Sequence, residues 1–167
     1  IAIVFIVILG LLAAYFCLNL SSRAKSIFDA IFTIPMVLPP TVCGFILLFI
    51  CGSNTAFGRF WIETGFPLIF SPTACVIAAV VVAFPLKYRN ALDVVESLGR
   101  KMLYDARTLG WSNAKIFVRL MLPLSWSSIA AGMVLAFARA LGEFGATLFM
   151  AGNYVGITRT IPIAIYF

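Results

Sequence analysis

Four long apolar runs dominate the pattern of hydrophobic and polar positions along this chain of 167 residues. They cover Ile1 to Ser22, Ile27 to Ile50, Ser71 to Leu86 and Leu124 to Met150. The runs lack the alternation of a half-buried strand, and unbroken apolar stretches of this length favour helices over a β-barrel. A helix needs about 20 residues to cross a bilayer, so the third run is short unless it extends back toward Phe66. The pattern predicts an all-α fold, a polytopic transmembrane helical bundle with about four spans.

The overall composition strengthens this prediction. Hydrophobic residues make up 63% of the chain and charged residues 11%, with a mean hydropathy of +1.09. A soluble domain is nearer half apolar and a quarter charged. The excess apolar surface therefore needs the lipid bilayer as its solvent.

Basic residues are divided unevenly between the connections. Nine Lys or Arg residues lie in the first and third loops, whereas Arg59 and Arg159 lie on the other side. By the positive-inside rule, loops 21–26 and 87–123 are cytoplasmic. The net charge of +6 follows from this asymmetry, so it does not imply a nucleic acid partner.

Both ends of the chain fall inside apolar sequence. Ile1 begins within one run, and Phe167 ends where another apolar stretch, Ile161 to Phe167, is starting. We therefore expect residues 1–167 to be a single transmembrane domain, truncated at both ends, with a further span after Phe167.

Residue types that carry catalysis or bind metals and cofactors are scarce. The chain has no His, which is the commonest acid–base residue and metal ligand, and it has no Gly-rich phosphate loop ending in Lys. Cys17, Cys43, Cys51 and Cys75 sit in or beside apolar runs without a CxxC pair, as expected of small apolar side chains. We expect no catalytic residue, no metal site and no cofactor.

The third loop contains a helical pattern that ends at a glycine. Residues 94–109 have helical composition, and several apolar side chains are spaced to share one face. Those side chains are Leu98, Met102 or Leu103, Ala106 and Leu109. Gly110 is a natural helix stop because it adopts positive φ at little cost.

A second short helix is predicted after this stop. Ser112 can cap it, and its apolar residues Ile116, Phe117 and Leu120 are expected on the membrane surface, with Lys115 and Arg119 facing water or headgroups. Pro123 marks the start of the next span, where a missing N–H costs little. By itself this pattern fits either an ordinary connector or a short element that docks in a groove on a partner.

The spacing of this loop resembles the signature of ABC importer permeases, which opens with Glu-Ala-Ala, has Gly six positions on, and closes with Ile-x-Leu-Pro. The corresponding residues here are Tyr104, Asp105, Ala106, Arg107, Thr108, Leu109 and Gly110, then, after nine residues, Leu120, Met121, Leu122 and Pro123. Tyr104 and Asp105 depart from the usual Glu and Ala. The resemblance implies a coupling loop at about 94–123 that docks on cytoplasmic ABC ATPase subunits. It also implies that this chain is no enzyme, since a partner subunit hydrolyses ATP.

Three further stretches resemble the molybdate and sulfate branch of that family. They are Leu38 to Thr41, Ala136 to Thr147 and Thr158 to Pro162, of which the last looks most like molybdate permeases. The resemblance implies a permease in the cell (inner) membrane that imports an oxyanion, and this last stretch favours molybdate. Implied partners are a second permease copy, forming a homodimer, and an extracytoplasmic oxyanion-binding protein.

Arg139 and Glu143 are the charged residues of the fourth apolar run. They are four apart, so on one helix they share a face and can pair. Ionisable residues inside a membrane are costly and usually face the bundle interior or a water-filled cavity. The pair is therefore either part of the pathway of a divalent oxyanion, with Arg139 supplying positive potential, or a structural ion pair between helices.

Prolines interrupt the second apolar run. Pro35, Pro39 and Pro40 each remove a backbone donor and clash with the preceding turn, so the helix must kink or break. The freed carbonyls need partners in lipid, which places this segment against protein or the pore. Pro39, Pro40 and Thr41 are thus candidates for a pathway or gate, and a simple packing kink is the alternative.

Other functions remain open at the level of sequence. A sulfate or tungstate ABC permease is the nearest alternative. An ion-coupled secondary carrier would predict inverted repeats and acidic residues at mid-membrane, and Glu143 is the one acid deep in a run. A structural membrane anchor would leave both the loop spacing and the proline break without a purpose.

Overall fold

The computed structural model describes residues 1–18, 20–97 and 100–167, and their side chains apart from residues 18, 95–101, 103 and 104. Helices account for most of this part of the chain. The first five are α1 (Ala2–Leu18), α2 (Ser22–Val37), α3 (Pro40–Cys51), α4 (Ala56–Glu63) and α5 (Pro72–Ser97).

The second half of the chain is built from shorter pieces. They are α6 (Arg100–Thr108), α7 (Asn113–Ile116), a π-helical turn (Phe117–Met121), α8 (Leu122–Leu124), α9 (Trp126–Leu141), α10 (Gly145–Ala151) and α11 (Ile161–Tyr166). These helices confirm the predicted all-α class.

Helix α5 is the centre of the bundle. It packs against α1, α2, α3, α9 and α10. Small residues of α5 make these close contacts possible. Ala83 meets Ile6 and Ala136 in one buried cluster, and Ala78 meets Ala146 in another.

The length and composition of the helices agree with a membrane protein. Among the described residues, Pro72–Val94 is by itself long and apolar enough to cross a bilayer. Two bent pairs, α2 with α3 and the 113–124 segment with α9, raise the number to three if each pair counts as one span. Ala2–Cys17 is apolar and shorter.

The predicted interruption of the second run is confirmed as a complete break. Helices α2 and α3 meet at an angle of 110°. Leu38 is extended, with φ −70° and ψ 143°, because a residue that precedes proline is pushed out of the helical region, and Pro39 is extended for the same reason. Pro40 then occupies the first turn of α3, where no N–H is needed.

The prediction that a loop begins at Lys87 is wrong. The apolar pattern stops at Leu86, but α5 continues to Ser97 and carries Lys87, Arg89 and Asp93 within the helix. Packing explains the difference, since Lys87 and Tyr88 are fully enclosed by neighbouring helices. Lys87 therefore does not belong to a solvated loop.

The fourth apolar run, Leu124 to Met150, does not form one continuous helix. The chain bends by 79° at Ser125, and a second break separates Leu141, the last residue of α9, from Gly145, the first of α10. No proline lies at the second break. The side chain of Glu143 produces it instead, as described below.

Candidate functional site

The break between α9 and α10 is held by the carboxylate of Glu143. One carboxylate oxygen accepts the N–H of Ala146 at 2.8 Å, and the other accepts from Nη1 of Arg139 at 2.7 Å. A side chain that satisfies an N–H of the first turn favours the start of a new helix, which explains why α10 begins here. The predicted ion pair is thus present, although Glu143 lies beyond the last residue of α9.

The two members of this pair differ in exposure. The side chain of Glu143 is 2% exposed, whereas that of Arg139 is 35% exposed. Both oxygens of Glu143 have partners within the protein, so its carboxylate is fully engaged. Arg139 uses one of its five N–H donors in the pair, and its exposed part remains open to the surroundings.

The proline break and the Glu143 break lie against each other. A Cβ added to Gly145 would come within 3.2 Å of Thr41 and 3.3 Å of Pro40. One turn further on, a Cβ on Gly44 would be 2.6 Å from Cα of Ala146. The backbones of α3 and α10 therefore approach as closely as glycine allows.

A backbone carbonyl freed by the proline break also has a hydrogen-bond partner. Pro39 has no N–H for the carbonyl of Pro35, and the thiol of Cys43 donates to that carbonyl instead, at 3.6 Å. Pro39, Pro40 and Thr41 are exposed. The structure thus brings Pro40 and Thr41 beside the segment of Arg139 and Glu143.

The predicted stop at Gly110 is confirmed in detail. Gly110 has φ +75°, and α6 ends two residues before it. The N–H of Gly110 donates to the carbonyl of Arg107 at 2.9 Å, and that of Trp111 donates to Ala106 at 3.2 Å. These two bonds are the Schellman pattern of helix termination.

The second short helix of this loop is also confirmed. Ser112 caps α7 by accepting the N–H of Lys115 at 3.3 Å, and Lys115 and Arg119 are exposed as predicted. Nζ of Lys115 lies 4.6 Å from the centre of the Trp111 ring, which is within cation–π range. The cap and this contact fix α7 relative to the end of α6.

The apolar side chains of the loop are arranged differently from the prediction. Ala106 and Ile116 are buried together with Met121, so Ile116 does not lie on a membrane surface. Leu109 is 75% exposed, so it does not share a buried face with Ala106. Leu98 and the side chain of Leu103 lie outside the described residues.

The remaining loop candidates take the following positions. Asp105, Arg107 and Thr108 are exposed on α6, and the Thr108 hydroxyl donates to the carbonyl of Asp105 at 2.7 Å. The backbone of Tyr104 is in α6, and its side chain is outside the described part. Leu122 and Pro123 form α8, directly after the π-helical turn.

Two further features of the structure were missed by sequence reasoning. The close approach of Gly44 to Ala146 joins residues that are far apart in the chain, and a lone glycine in an apolar run carries no signal of it. The buried position of Lys87 is the other. Its signal was available, since residues 87–97 have no helix breaker and continue the helical run.

Known protein families match almost the whole chain. The family model described as binding-protein-dependent transport system inner membrane component matches residues 6–167. A putative molybdenum transport system permease protein of Bacillus subtilis is 43% identical over 163 residues, covering 96% of this chain and 71% of that protein.

More distant relatives are also named as transport system permease proteins. The molybdenum transport system permease protein of Escherichia coli K12 is 39% identical, covering 99% of this chain and 72% of its own length. A sulfate transport system permease protein of Synechocystis is 32% identical, covering 93% and 56% respectively. The chain thus spans between about half and three quarters of these relatives.

Proposed function

This chain belongs to the family of inner membrane components of binding-protein-dependent transport systems, and from that membership we propose that it is the permease subunit of an ATP-driven importer of an oxyanion. Molybdate is the proposed substrate because two relatives near 40% identity are named as molybdenum permeases. The sulfate permease is less similar, at 32%. Family membership favours this proposal over an ion-coupled carrier or a structural anchor.

The proposed assembly follows from this role. Two permease copies span the inner membrane several times each, an extracytoplasmic binding protein delivers the oxyanion, and cytoplasmic ATPase subunits supply energy. Residues 21–26 and the part of 87–123 that follows α5 face the cytoplasm in this arrangement. The permease itself does not hydrolyse ATP.

The coupling role is assigned to the loop that contains α6 and α7. Leu109 is an apolar side chain that is 75% exposed beside the Gly110 turn, as suits a residue that inserts into a partner's pocket. Behind it, the Ala106, Ile116 and Met121 cluster and the Ser112 cap make the loop rigid. A rigid loop with an exposed apolar tip transmits movement of a bound partner.

The pathway role is assigned to the junction of the two helix breaks. Glu143 holds the start of α10 and orients Arg139, while the exposed part of Arg139 provides positive potential for a passing anion. Because the charge of Arg139 is partly neutralised by Glu143, the anion is attracted without being trapped. Pro39, Pro40 and Thr41 border the same junction and act as the gate.

The observation that carries the proposed coupling role is the geometry of the loop, and Gly110→Val tests it. A β-branched residue is strained at positive φ, so this variant distorts the turn without touching the helix breaks. We expect loss of ATPase association and of ATP-dependent molybdate uptake in liposomes that contain the full-length permease, its ATPase and the binding protein. Sulfate and tungstate as competitors report selectivity.

Gly65→Val is the matched control. Gly65 also has positive φ, +80°, with no atom within 4 Å of an added Cβ, as at Gly110, but it follows α4. The control should keep its ATPase association. If Gly110→Val also associates and transports normally, the loop does not couple and the proposal fails.

The double variant Arg139→Met with Glu143→Gln tests the pathway. It removes both charges together, so no unpaired charge remains in the bundle. We expect molybdate uptake to become roughly tenfold slower, which corresponds to a loss of about 1.4 kcal/mol of favourable electrostatic energy. ATPase association should be unchanged. Normal uptake would reduce the pair to a structural role.

A further inference from the structure

Lys87 is a basic residue that neither the coupling loop nor the helix breaks use. It lies on α5 and is completely buried. The ion pairs found among the described residues, Arg89 with Asp29 and Arg139 with Glu143, do not include it. Enclosing a lysine without a carboxylate is costly, so its contacts need a reason.

The amine of Lys87 contacts helix α9 and a neighbouring side chain of its own helix. Its Nζ donates to the backbone carbonyl of Ile129 at 2.8 Å and lies 3.4 Å from Oδ1 of Asn90. On the opposite side, a Cβ on Gly10 of α1 would come within 2.8 Å of Cγ of Lys87. A glycine of α1 therefore makes room for the lysine stem.

Asn90 contacts the same helix one turn further along α5. A Cβ added to Gly132 would overlap the side-chain amide of Asn90. Lys87 with Asn90 and Ile129 with Gly132 have the same spacing of three residues, which places each pair on one helix face. The two helices therefore meet through two matched contacts.

These contacts permit one register between α5 and α9. Sliding α9 by one turn, about 5.4 Å, brings Ser128 or Ala136 to the position of Gly132. Both carry a Cβ, which has no space beside Asn90. The same shift exchanges the carbonyl of Ile129 at Lys87 for that of Ser125 or Met133, so the contact of Gly132 with Asn90 sets the register, and the bond from Lys87 holds α9 to α5 in that register.

These contacts also join the two helices that flank the coupling loop. Helix α5 enters the coupling loop, and α9 leaves it after the bend at Ser125. Arg139 lies ten residues beyond Ile129 on α9, or about 15 Å along the helix.

We propose that Lys87 and Asn90 are positioning residues that lock α9 to α5, so that movement of the coupling loop reaches the Arg139–Glu143 break as a rigid-body movement. This inference rests on the proposed function. Without the lock, the bend at Ser125 absorbs the movement, because α9 can then shift relative to α5. The ATPase still binds and hydrolyses ATP, but its movement no longer reaches the Arg139–Glu143 break.

Lys87→Met is the principal variant, since methionine keeps the apolar stem and removes the amine. Lys25→Met is the matched control, because it removes a lysine from α2, a helix of the bundle that packs against α5 and α1. Both are made in the full-length permease and assembled with the ATPase and the binding protein.

The first measurement is amide hydrogen exchange of the assembled complex, which needs no transport. We expect Lys87→Met to accelerate exchange in the first half of α9 by about tenfold, and Lys25→Met to leave it unchanged. Unchanged protection of α9 in Lys87→Met overturns the lock. This result stands even if the complex imports another solute, so it is separate from a failure of the proposed function.

The second measurement is the number of ATP molecules hydrolysed per molybdate taken up by liposomes. We expect this ratio to rise about tenfold in Lys87→Met, with ATPase association retained. A residue that only stabilises the fold would lower uptake and ATPase activity together and leave the ratio constant. A constant ratio with accelerated exchange therefore overturns the coupling role.

Asn90→Ala provides a second variant if Lys87→Met does not accumulate. It keeps the lysine and its bond to Ile129, and it removes the amide that lies against Gly132. If Lys87 and Asn90 lock the two helices, Asn90→Ala also accelerates amide exchange in α9 and raises the ratio of ATP hydrolysed to molybdate taken up, both by less than Lys87→Met does. The absence of both changes in a folded Asn90→Ala complex overturns the proposal.

Discussion

Lys87 and Arg139 are both basic residues inside the helical bundle, but they are accommodated in opposite ways. Arg139 pairs with Glu143 and keeps about a third of its side chain exposed. Lys87 has no exposed surface and binds a backbone carbonyl. A charge that is partly exposed can meet a solute, as we propose for Arg139, whereas an enclosed charge can only position the helices around it.

The strongest test of this difference is Glu143→Leu. It leaves Arg139 without a partner and the N–H of Ala146 without an acceptor. We expect a loss of about 3 kcal/mol in the free energy of unfolding, measured by thermal or denaturant unfolding in detergent. The partial exposure of Arg139 keeps the loss at the lower end for a broken pair.

Glu143→Gln separates the two contributions. It retains an acceptor for Ala146 and a similar shape, so we expect a smaller loss of about 1.5 kcal/mol. If Glu143→Leu is as stable as the wild type, the carboxylate does not hold the break, and the assigned roles of the pair are wrong.

Gly44→Ala tests the junction between α3 and α10 and should have the next largest effect. The new Cβ would lie 2.6 Å from Cα of Ala146, and backbone cannot move aside as a flexible side chain can. We expect a loss of about 2 kcal/mol and slower uptake. Gly142→Ala is the control for stability, since its Cβ would meet Ala138 at an ordinary 3.5 Å.

The smallest effect is expected for Arg89→Gln. Arg89 lies two residues beyond Lys87 on α5, and its Nη1 contacts both carboxylate oxygens of Asp29 at 2.8 Å. The two side chains are 45% and 30% exposed, and water screens such a pair. We expect less than about 1 kcal/mol, declining further at high salt. If Arg89→Gln loses more free energy of unfolding than Glu143→Leu, exposure does not explain how much these basic residues contribute to stability.

Much of the fold was predictable because its causes are local. The apolar runs identify helices, two adjacent prolines force Leu38 and Pro39 to be extended, and Gly110 ends α6 because it adopts positive φ. The capping of α7 by Ser112 is equally local. In each case a residue acts on neighbours within one turn, so its effect is visible in the order of the residues.

The candidate site was predictable in part. The pairing of Arg139 with Glu143 follows from their spacing of four residues. Their position outside the coupling loop follows from the apolar run in which both lie. The break at Glu143 was not predicted, because the glutamate ends one helix by capping the next, and a four-residue spacing equally fits an uninterrupted helix. The burial of Ile116 depends on Ala106 and Met121 folding back on it, which periodicity does not reveal.

The sequence by itself determined that this is a helical membrane protein of a transport family, and it located the proline break and the loop. These properties depend on hydropathy, on backbone restrictions and on residue spacing. Only the tertiary structure decided that Lys87 is enclosed, that Gly44 touches Ala146 and that the two breaks adjoin. Each of these depends on which helices meet and in which register, because burial and close approach are properties of neighbours in space.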